Sequence, residues 1–178
     1  MNQPTKADVL KRLKQGESFI GEDLTAIDLS GSSTDLTEAN FNAANLSNAN
    51  FEGAVMKGVF LVGANLTNAN FEGADLEGAF LSGAVLSGTN FRGANLRNAA
   101  IGAPDWVVSD AFGSLTSFEN ADLEDATFGE TVMKGVILFG ANLTGAYLYE
   151  VDLSEAVYKS SDLEGAVTKK AFQESIWD

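Results

Sequence analysis

The sequence contains neither cysteine nor histidine, and these two absences exclude most common enzyme chemistry. Without cysteine the chain can form no disulfide framework and no thiolate metal site. Without histidine it lacks the imidazole on which most general-base triads and most zinc and iron sites depend. The 25 aspartates and glutamates are scattered along the chain rather than gathered near a recognisable pocket motif. We therefore predict no catalytic residues, no cofactor and no metal site.

Long hydrophobic runs are also missing. No stretch approaches the roughly 18 consecutive apolar residues that a membrane helix needs, and the amino terminus lacks the hydrophobic region of a signal peptide. These absences predict a cytoplasmic protein with no membrane segment. The 45% hydrophobic content nevertheless indicates a folded core.

Charge is unevenly distributed along a chain whose net charge is −14. Residues 1–16 carry four basic side chains and one acidic one, which gives +3, whereas residues 17–168 carry 5 bases and 22 acids, which gives −17. Such a field repels nucleic acid and anionic membranes and attracts basic proteins or cations. We predict a protein partner and no direct binding to nucleic acid.

A large apolar residue, called here the core residue, recurs at every fifth position in the first half of the chain. Fourteen core residues follow one another without a miss: Leu36, Phe41, Leu46, Phe51, Met56, Leu61, Leu66, Phe71, Leu76, Leu81, Leu86, Phe91, Leu96 and Ile101. A small residue, usually alanine, stands two positions before each of them, as at Ala39 and Ala44.

A period of five fits neither an α-helix, with 3.6 residues per turn, nor a simple strand, with a period of two. Each unit must therefore combine a short extended piece with a bend. In the extended piece the core residue and the small residue point inward, while the residues directly before and after the core residue, the outer residues, face solvent. Glycine or asparagine at the second position after the core residue, the corner residue, marks the bend, as at Gly53 and Asn68.

A longer period shows how many bends close one turn. Residues 49–68 and 69–88 agree at 12 of 20 positions, so four units complete a square coil. Coils stack about 4.8 Å apart, and residues 20 apart become neighbours. This predicts an internal stack of Phe51, Phe71 and Phe91, an outer amide ladder of Asn50, Asn70 and Asn90, and an alternation of charge at Lys57, Glu77 and Arg97.

The second half follows the same rule with its phase shifted by two residues. Its ten core residues are Phe118, Leu123, Phe128, Met133, Leu138, Leu143, Leu148, Leu153, Tyr158 and Leu163. The break falls within residues 102–117, and a smaller slip lies between Leu29 and Leu36. With three units before that slip, the 27 units predict about seven coils and a rod on the order of 33 Å.

Both ends of such a coil need covers, because an open end exposes unpaired edges and apolar core. Residues 1–17 predict a short capping helix at about 6–15, and the coil itself occupies residues 18–168. Residues 169–178 either cap the last coil or pair two chains into a homodimer. This last segment carries three large apolar side chains at near-helical spacing: Phe172, Ile176 and Trp177.

The units resemble the A(D/N)LXX consensus of the pentapeptide-repeat family. Clear examples are Ala39-Asn40-Phe41, Ala64-Asn65-Leu66-Thr67-Asn68 and Ala74-Asp75-Leu76-Glu77-Gly78. The resemblance covers roughly residues 18–168 and implies an all-β solenoid, the right-handed quadrilateral β-helix of that family. With its amino-terminal helix the chain looks most like bacterial, often cyanobacterial, cytosolic members, most of which have no assigned activity.

Apolar residues at outer positions, which the repeat normally keeps polar, predict a contact surface. They are Phe60, Val62, Phe80, Val85, Val132, Ile137, Phe139, Tyr147 and Val157. The break adds Trp106 and Phe112, since interruptions in solenoids often host binding. The break is equally consistent with a scar of duplication, because residues 131–146 repeat much of residues 54–69.

These observations favour a non-enzymatic interaction or scaffold protein that presents an acidic surface to an unidentified protein partner. The resemblance also implies an alternative, a DNA mimic that binds DNA gyrase or topoisomerase, as the quinolone-resistance members of the family do. The amino-terminal helix and the short break both depart from the pattern of those members. A carboxylate-based enzyme is a distant third interpretation.

Overall fold

A computed structural model describes residues 3–102, 116–129 and 131–168 of the chain. Within them the regular elements are helix α1, Lys6–Lys14, and a 3-10 helix at Ser160–Leu163. Outside these helices the described chain is connected by parallel β-bridges. Each bridge joins one residue to one residue of the next coil. The sheet character therefore comes from the stacking of coils and not from long strands.

Helix α1 lies within the range predicted from the sequence, and its start is fixed by a capping box. The Thr5 hydroxyl accepts a hydrogen bond from the Asp8 N–H, and the Asp8 carboxylate accepts one from the Thr5 N–H at 2.9 Å. On the inner side of the helix Val9 is fully buried, and the half-buried Leu10 and Leu13 pack against the same hydrophobic core. These contacts join α1 to the coils.

Every fifth residue of the coils forms a bridge, and it is the outer residue directly before a core residue. From Asp35 to Ala100 each bridge joins residues 20 apart, so four units complete one turn as predicted. The bridging residues fall in four columns, which define four faces. Face 1 holds Asn40, Phe60, Phe80, Ala100, Thr127, Tyr147 and Val167; face 2 holds Asp23, Asn45, Asn65 and Val85, continued by Val132 and Asp152; face 3 holds Asp28, Asn50, Asn70, Asn90, Ser117, Ile137 and Val157; face 4 holds Asp35, Val55, Asp75, Asn95, Asp122 and Asn142.

The core is a set of columns in which each side chain stacks on its equivalent in the next coil. Phe51 and Phe71 have parallel rings with centroids 4.8 Å apart, and Phe71 and Phe91 follow at 5.0 Å, which confirms the predicted stack. Phe118 extends it by a further 4.9 Å beyond the break. The alanines two positions before the core residues are equally buried, as at Ala54, because a larger side chain there would have no room inside the square.

Corner residues adopt the left-handed backbone conformation whether or not they are glycine. The predicted corners Gly53 and Asn68 have φ of 63° and 57°. The sequence pattern missed others, such as Glu38 and Ala43, both with φ of 56°. A left-handed non-glycine residue costs roughly 1–2 kcal/mol, and a hydrogen bond to the next coil offsets this cost, as from the Ala43 N–H to the Val62 carbonyl at 2.9 Å.

Two irregularities in the coil match the two slips seen in the sequence. Asp23 and Asp28 bridge to Asn45 and Asn50, each two positions further along than the regular period, so two extra residues lie before Asp35. The bridge from Asn90 to Ser117 skips one whole unit in addition to the two-residue phase shift. This additional unit falls between residues 102 and 116, outside the described residues.

The outer ladders agree with the prediction in one column and differ in another. The Asn70 side-chain amide donates to Asn50 Oδ1 at 3.1 Å, and Asn90 donates to Asn70 Oδ1 at 3.0 Å, which confirms the amide ladder. Lys57 pairs with Glu77 as expected, but Arg97 turns to the following coil and pairs with Glu124 instead.

The carboxyl-terminal coil is less closed than the repeat predicts. Tyr158 continues the series of core residues, yet its side chain is 39% exposed, and Leu153 and Leu163 are only half-buried. The 3-10 helix at Ser160–Leu163 replaces the regular unit there. No later coil packs on these side chains within the described residues, so the inward position alone does not bury them.

The opposite orientation of neighbouring positions can be tested at Leu76 and Glu77. Leu76 is fully buried, so Leu76→Lys places an unpaired charge where water cannot follow, and we expect a loss of about 3–5 kcal/mol in the free energy of unfolding. Glu77 points outward, and Glu77→Lys should cost no more than about 1 kcal/mol. Thermal unfolding measured for both variants checks this, and equal shifts in melting temperature would show that inside and outside are reversed.

The aspartates at outer positions make stability depend on pH. Hydrogen bonds from the Thr25 hydroxyl at 2.6 Å and the Thr25 N–H at 3.1 Å lower the pKa of Asp23. Because its folded-state pKa is lowered, ionised Asp23 stabilises the fold at pH values above the unfolded-state pKa of about 4. This contribution is lost as the pH falls through the folded-state pKa. The melting temperatures of the wild type and Asp23→Asn should therefore differ at pH 7 and converge by about pH 2.

The control for this pH series is Glu150→Gln. Glu150 is exposed, and its carboxylate makes no hydrogen bond to any residue that the structure describes. We expect Glu150→Gln to change the melting temperature at pH 7 by less than Asp23→Asn does. A difference between the wild type and Asp23→Asn that does not shrink from pH 7 to about pH 2 would contradict the assignment.

Candidate interaction face

Charged side chains lie on only two of the four faces between residues 39 and 102. Four acids and three bases occur in this stretch, a net charge of −1, and all seven stand at outer positions of faces 3 and 4. They are Glu52, Glu72 and Arg92 on face 3, and Lys57, Asp75, Glu77 and Arg97 on face 4. Faces 1 and 2 carry no charge over the same coils.

Face 1 turns apolar side chains outward, four of them within this stretch and Ile20 before it. We call it the apolar strip: Ile20, Phe60, Val62, Phe80 and Ala100. Ile20 is 57% exposed, and Val62 and Phe80 are each 42% exposed. Ile20 belongs to face 1 because the neighbouring Gly21 N–H donates to the Asn42 carbonyl of the next coil at 2.9 Å.

Phe60 and Phe80 form the centre of the apolar strip. Their rings are parallel within 5°, with centroids 5.0 Å apart, so each covers a face of the other and both direct their edges to solvent. Phe60 is half-buried rather than exposed, because Phe80 covers one side of its ring. The predicted stacking of the two rings beside Val62 is therefore confirmed.

Asn40 and Asn42 lie on face 1 in the coil between Ile20 and Val62, and their side-chain oxygens each accept a hydrogen bond. Asn40 Oδ1 accepts from the Asn42 N–H at 3.1 Å, and Asn42 Oδ1 accepts from the Val62 N–H at 2.8 Å. A polar acceptor that is satisfied within its own protein loses less when a partner displaces water. These two oxygens can therefore be covered at low desolvation cost.

The other predicted surface residues do not join the apolar strip. Val85 is 46% exposed but lies on face 2. Tyr147 lies on face 1 beyond the break, where the centroid of its ring is 6.0 Å from that of Tyr149. Ile137 and Phe139 lie on face 3, so the candidates form separate groups on three faces.

Face 3 has its own small apolar group near the carboxyl-terminal end. Phe139 is 42% exposed and Val157, which bridges to Ile137, is 53% exposed. The Lys159 Nζ lies 4.3 Å from the centroid of the Phe139 ring, within the range of a cation–π contact. An acidic or a hydrophobic partner would have to displace this lysine to reach the ring.

Five predicted residues lie outside the described part of the chain. They are Trp106 and Phe112 in the break, and Phe172, Ile176 and Trp177 at the carboxyl end. Their proposed roles stay predictions.

Sequence reasoning missed Ile20, the most exposed member of the apolar strip. The regular period aligns Ile20 with Asn40, whereas the bridges of this coil run two positions further and place it above Asn42 and Val62. The signal was present in the slip between Leu29 and Leu36, which shifts every earlier residue by two positions.

Ion pairs between coils neutralise much of the charge on faces 3 and 4. The Lys57 Nζ lies 2.7 Å from Glu77 Oε2 and 3.3 Å from Asp75 Oδ2, and the hydrogen bond to Glu77 raises the pKa of Lys57. In the same way, the hydrogen bonds to Glu124 raise the pKa of Arg97. Such exposed pairs contribute little to stability, because water and salt screen them.

Neither a metal cluster nor a membrane span is evident in the described residues. No three acidic side chains gather there in a way that could hold a metal ion. No helix within residues 3–102, 116–129 and 131–168 is long and apolar enough to cross a membrane.

Comparison with known proteins agrees with the geometry of the coil. The sequence profile of pentapeptide repeats matches eight copies, over residues 34–73, 64–100 and 116–155. A trypsin-treated form of QnrB1, a plasmid-mediated fluoroquinolone resistance protein, is 18% identical, with 79% of this chain and 73% of that chain covered and a TM-score of 0.50. No curated protein is similar enough in sequence to count as a relative.

Two further solved structures are similar to this chain. A pentapeptide repeat protein of the Arabidopsis thaliana thylakoid lumen is 31% identical, with 79% of this chain and 71% of that chain covered and a TM-score of 0.22. A pentapeptide repeat protein from the cyanobacterium Nostoc PCC 7120 is 22% identical, with 95% of this chain and 99% of that chain covered and a TM-score of 0.40.

The profile match covers more than half of the chain, and its five-residue units are the ones that form the bridges and corners described above. The chain therefore belongs to the pentapeptide repeat family, whose members fold as right-handed quadrilateral β-helices.

Proposed function

We propose that this chain is a non-enzymatic binding protein that contacts a protein partner through the apolar strip of face 1. One observation carries the proposal: an apolar row centred on the stacked Phe60 and Phe80 occupies a face without charge, in a chain of net charge −14. Adjacent exposed apolar side chains on one face, such as Phe60, Val62 and Phe80, are typical of a protein contact site.

The charge distribution indicates that the partner surface in contact with the strip is itself largely uncharged. A charged group pressed against Phe60 and Phe80 would lose its hydration without gaining an ion pair, since faces 1 and 2 hold no charge between residues 39 and 102. The strip spans five coils, or roughly 20 Å at about 4.8 Å per coil, and the second of these coils presents Asn40 and Asn42 in place of apolar side chains. The acidic parts of faces 3 and 4 would then steer basic regions of the partner toward the rod.

Several finer features belong to this proposal. The rod has about seven coils, helix α1 caps its first coil, and the protein acts in the cytoplasm. Residues 169–178 cap the last coil or pair two chains through Phe172, Ile176 and Trp177, and the break with Trp106 and Phe112 provides a further contact.

A second candidate function is a DNA mimic that binds DNA gyrase or topoisomerase. It is favoured by the likeness in fold to QnrB1, a fluoroquinolone resistance protein, and by the acidity of residues 103–178, where 14 acids and 4 bases give −10. In residues 39–102, however, the charges nearly cancel. A rod that imitates DNA along its length needs one sign of charge throughout, so the contact proposal is favoured.

A DNA supercoiling assay separates the two functions. If the apolar strip is the binding site, the purified protein should neither inhibit gyrase nor protect it from a quinolone at any concentration up to about 10 μM, well above the affinity typical of specific complexes. Dose-dependent inhibition or protection that survives charge substitutions in the strip would favour the DNA mimic.

The strip itself is tested by the double variant Phe60→Glu with Phe80→Glu. A partner is first isolated from the source cell with the wild-type chain, and its affinity is then measured with purified proteins by calorimetry. The double variant should bind at least about thirtyfold more weakly, because hot-spot residues at the centre of an interface contribute about 2 kcal/mol or more.

The matched control is Val85→Glu, at an equally exposed outer position of face 2. We expect its affinity to stay within about threefold of the wild type, as for residues outside a hot spot. Circular dichroism must show that both variants keep the coil. A double variant that binds as the wild type does, or a control that abolishes binding, would contradict the assignment of the partner to face 1.

A further inference from the structure

A groove of about 720 Å³ lies between helix α1 and the first coil. The half-buried Leu10 and Leu13 of the helix line one side, and the unit that begins face 4, including Asp35 and Thr37, lines the other. The groove therefore runs along the outer edge of the first coil that the structure describes.

The next coil of face 4 shows which backbone groups such an edge offers. The Val55 N–H donates to the Thr34 carbonyl at 2.9 Å, and the Val55 carbonyl accepts from the Leu36 N–H at 2.7 Å. The Lys57 carbonyl accepts from the Glu38 N–H at 2.8 Å. Three hydrogen bonds thus attach each unit of this face to the coil before it.

The equivalent three groups of the first coil are the N–H and carbonyl of Asp35 and the carbonyl of Thr37. None of them forms a hydrogen bond with any residue that the structure describes. On faces 2 and 3 the carbonyl equivalent to that of Thr37 is covered, since the Thr25 carbonyl accepts from the Gln3 side chain at 3.0 Å and the Ser30 carbonyl accepts from Lys6 Nζ. The open edge on face 4 coincides with the groove.

The charged groups along the groove indicate what chemistry it favours. Glu17 is already paired with Arg12 at 2.8 Å. Asp35 and Glu38 line the groove without a basic side chain within ion-pair distance among the described residues, and Lys14 stands at its helix side. Both unpaired carboxylates lie on the coil edge, so a ligand that follows this edge meets negative charge.

We propose that this groove binds an extended, basic peptide segment of a partner protein, which adds to the edge at Asp35 and Thr37 as a β-strand. The peptide forms the three backbone hydrogen bonds that the next coil forms with residues 34–38. Because side chains alternate along a strand, a Lys or Arg above Asp35 alternates with an apolar side chain directed toward Leu10 and Leu13. This site is separate from the apolar strip and does not rest on the function proposed for it.

The probe is the heptapeptide acetyl-Ala-Thr-Lys-Leu-Thr-Lys-Gly-amide, designed to repeat the register of residues 34–38 with lysines in place of the two acidic residues. Its binding to the full chain is followed by the ¹⁵N–¹H NMR spectrum. We expect saturable shifts centred on the amides of Asp35 and Thr37. The same peptide with N-methyl groups on its Leu and second Lys, which removes two donors, should bind at least about tenfold more weakly.

The charge requirement is tested on the protein with Glu38→Lys. Its matched control is Asp125→Lys, because both residues are exposed acidic corners of face 4 with positive φ, and only Glu38 lines the groove. We expect Glu38→Lys to weaken peptide binding at least about threefold at low salt and Asp125→Lys to leave it unchanged. Melting temperatures confirm that both variants fold.

Three results would overturn the proposal. These are N-methylated and unmodified peptides with equal affinity, shifts that map to the apolar strip or to face 3, and equal effects of the two charge variants. The first would show that no strand is added, the second that the groove is not the site, and the third that attraction is general rather than local.

Discussion

The hydrogen bonds between successive coils are the constraint on which the whole structure depends. In the middle of the rod, the Asn65 N–H donates to the Ala44 carbonyl at 2.9 Å and the Asn65 carbonyl accepts from the Leu46 N–H at 2.8 Å. This pattern repeats from unit to unit and holds each residue above its equivalent in the adjacent coil. Like side chains therefore stack on like, as Phe51 on Phe71 inside and Asn50 on Asn70 outside.

The same constraint makes the four faces chemically independent. Outer residues contact neighbours in their own column more than residues of another face, so one face can lose its charge without disturbing the core. In this chain faces 3 and 4 carry ion pairs between coils, such as Lys57 with Glu77, whereas face 1 carries the stacked Phe60 and Phe80. The two ends of the described part of the chain are different, because no further coil stacks there among the described residues. Asp35 has backbone groups without a described partner, and Tyr158 is exposed although it continues the series of core residues.

Much of the fold could be predicted because the repeat is short and each position has a single role. A fully buried residue such as Leu76 recurs every five positions because the geometry of the unit directs that position to the interior. Predictions failed where a residue of an adjacent coil decided which contact formed. Arg97 pairs with Glu124, not Glu77, because a long side chain can reach either adjacent coil. Ile20 was missed because its column depends on a two-residue slip further along the chain.

The sequence by itself determined the square coil, its period, its inner residues and its helix α1, since these follow from local spacing and from which side chains avoid water. Only the tertiary structure decided which outer residues share a face, how far Phe60 is covered, and which edge groups at Asp35 have no partner among the described residues. The physical reason is that these properties belong to contacts between successive coils, whose residues are far apart along the chain, and their register depends on every insertion between them.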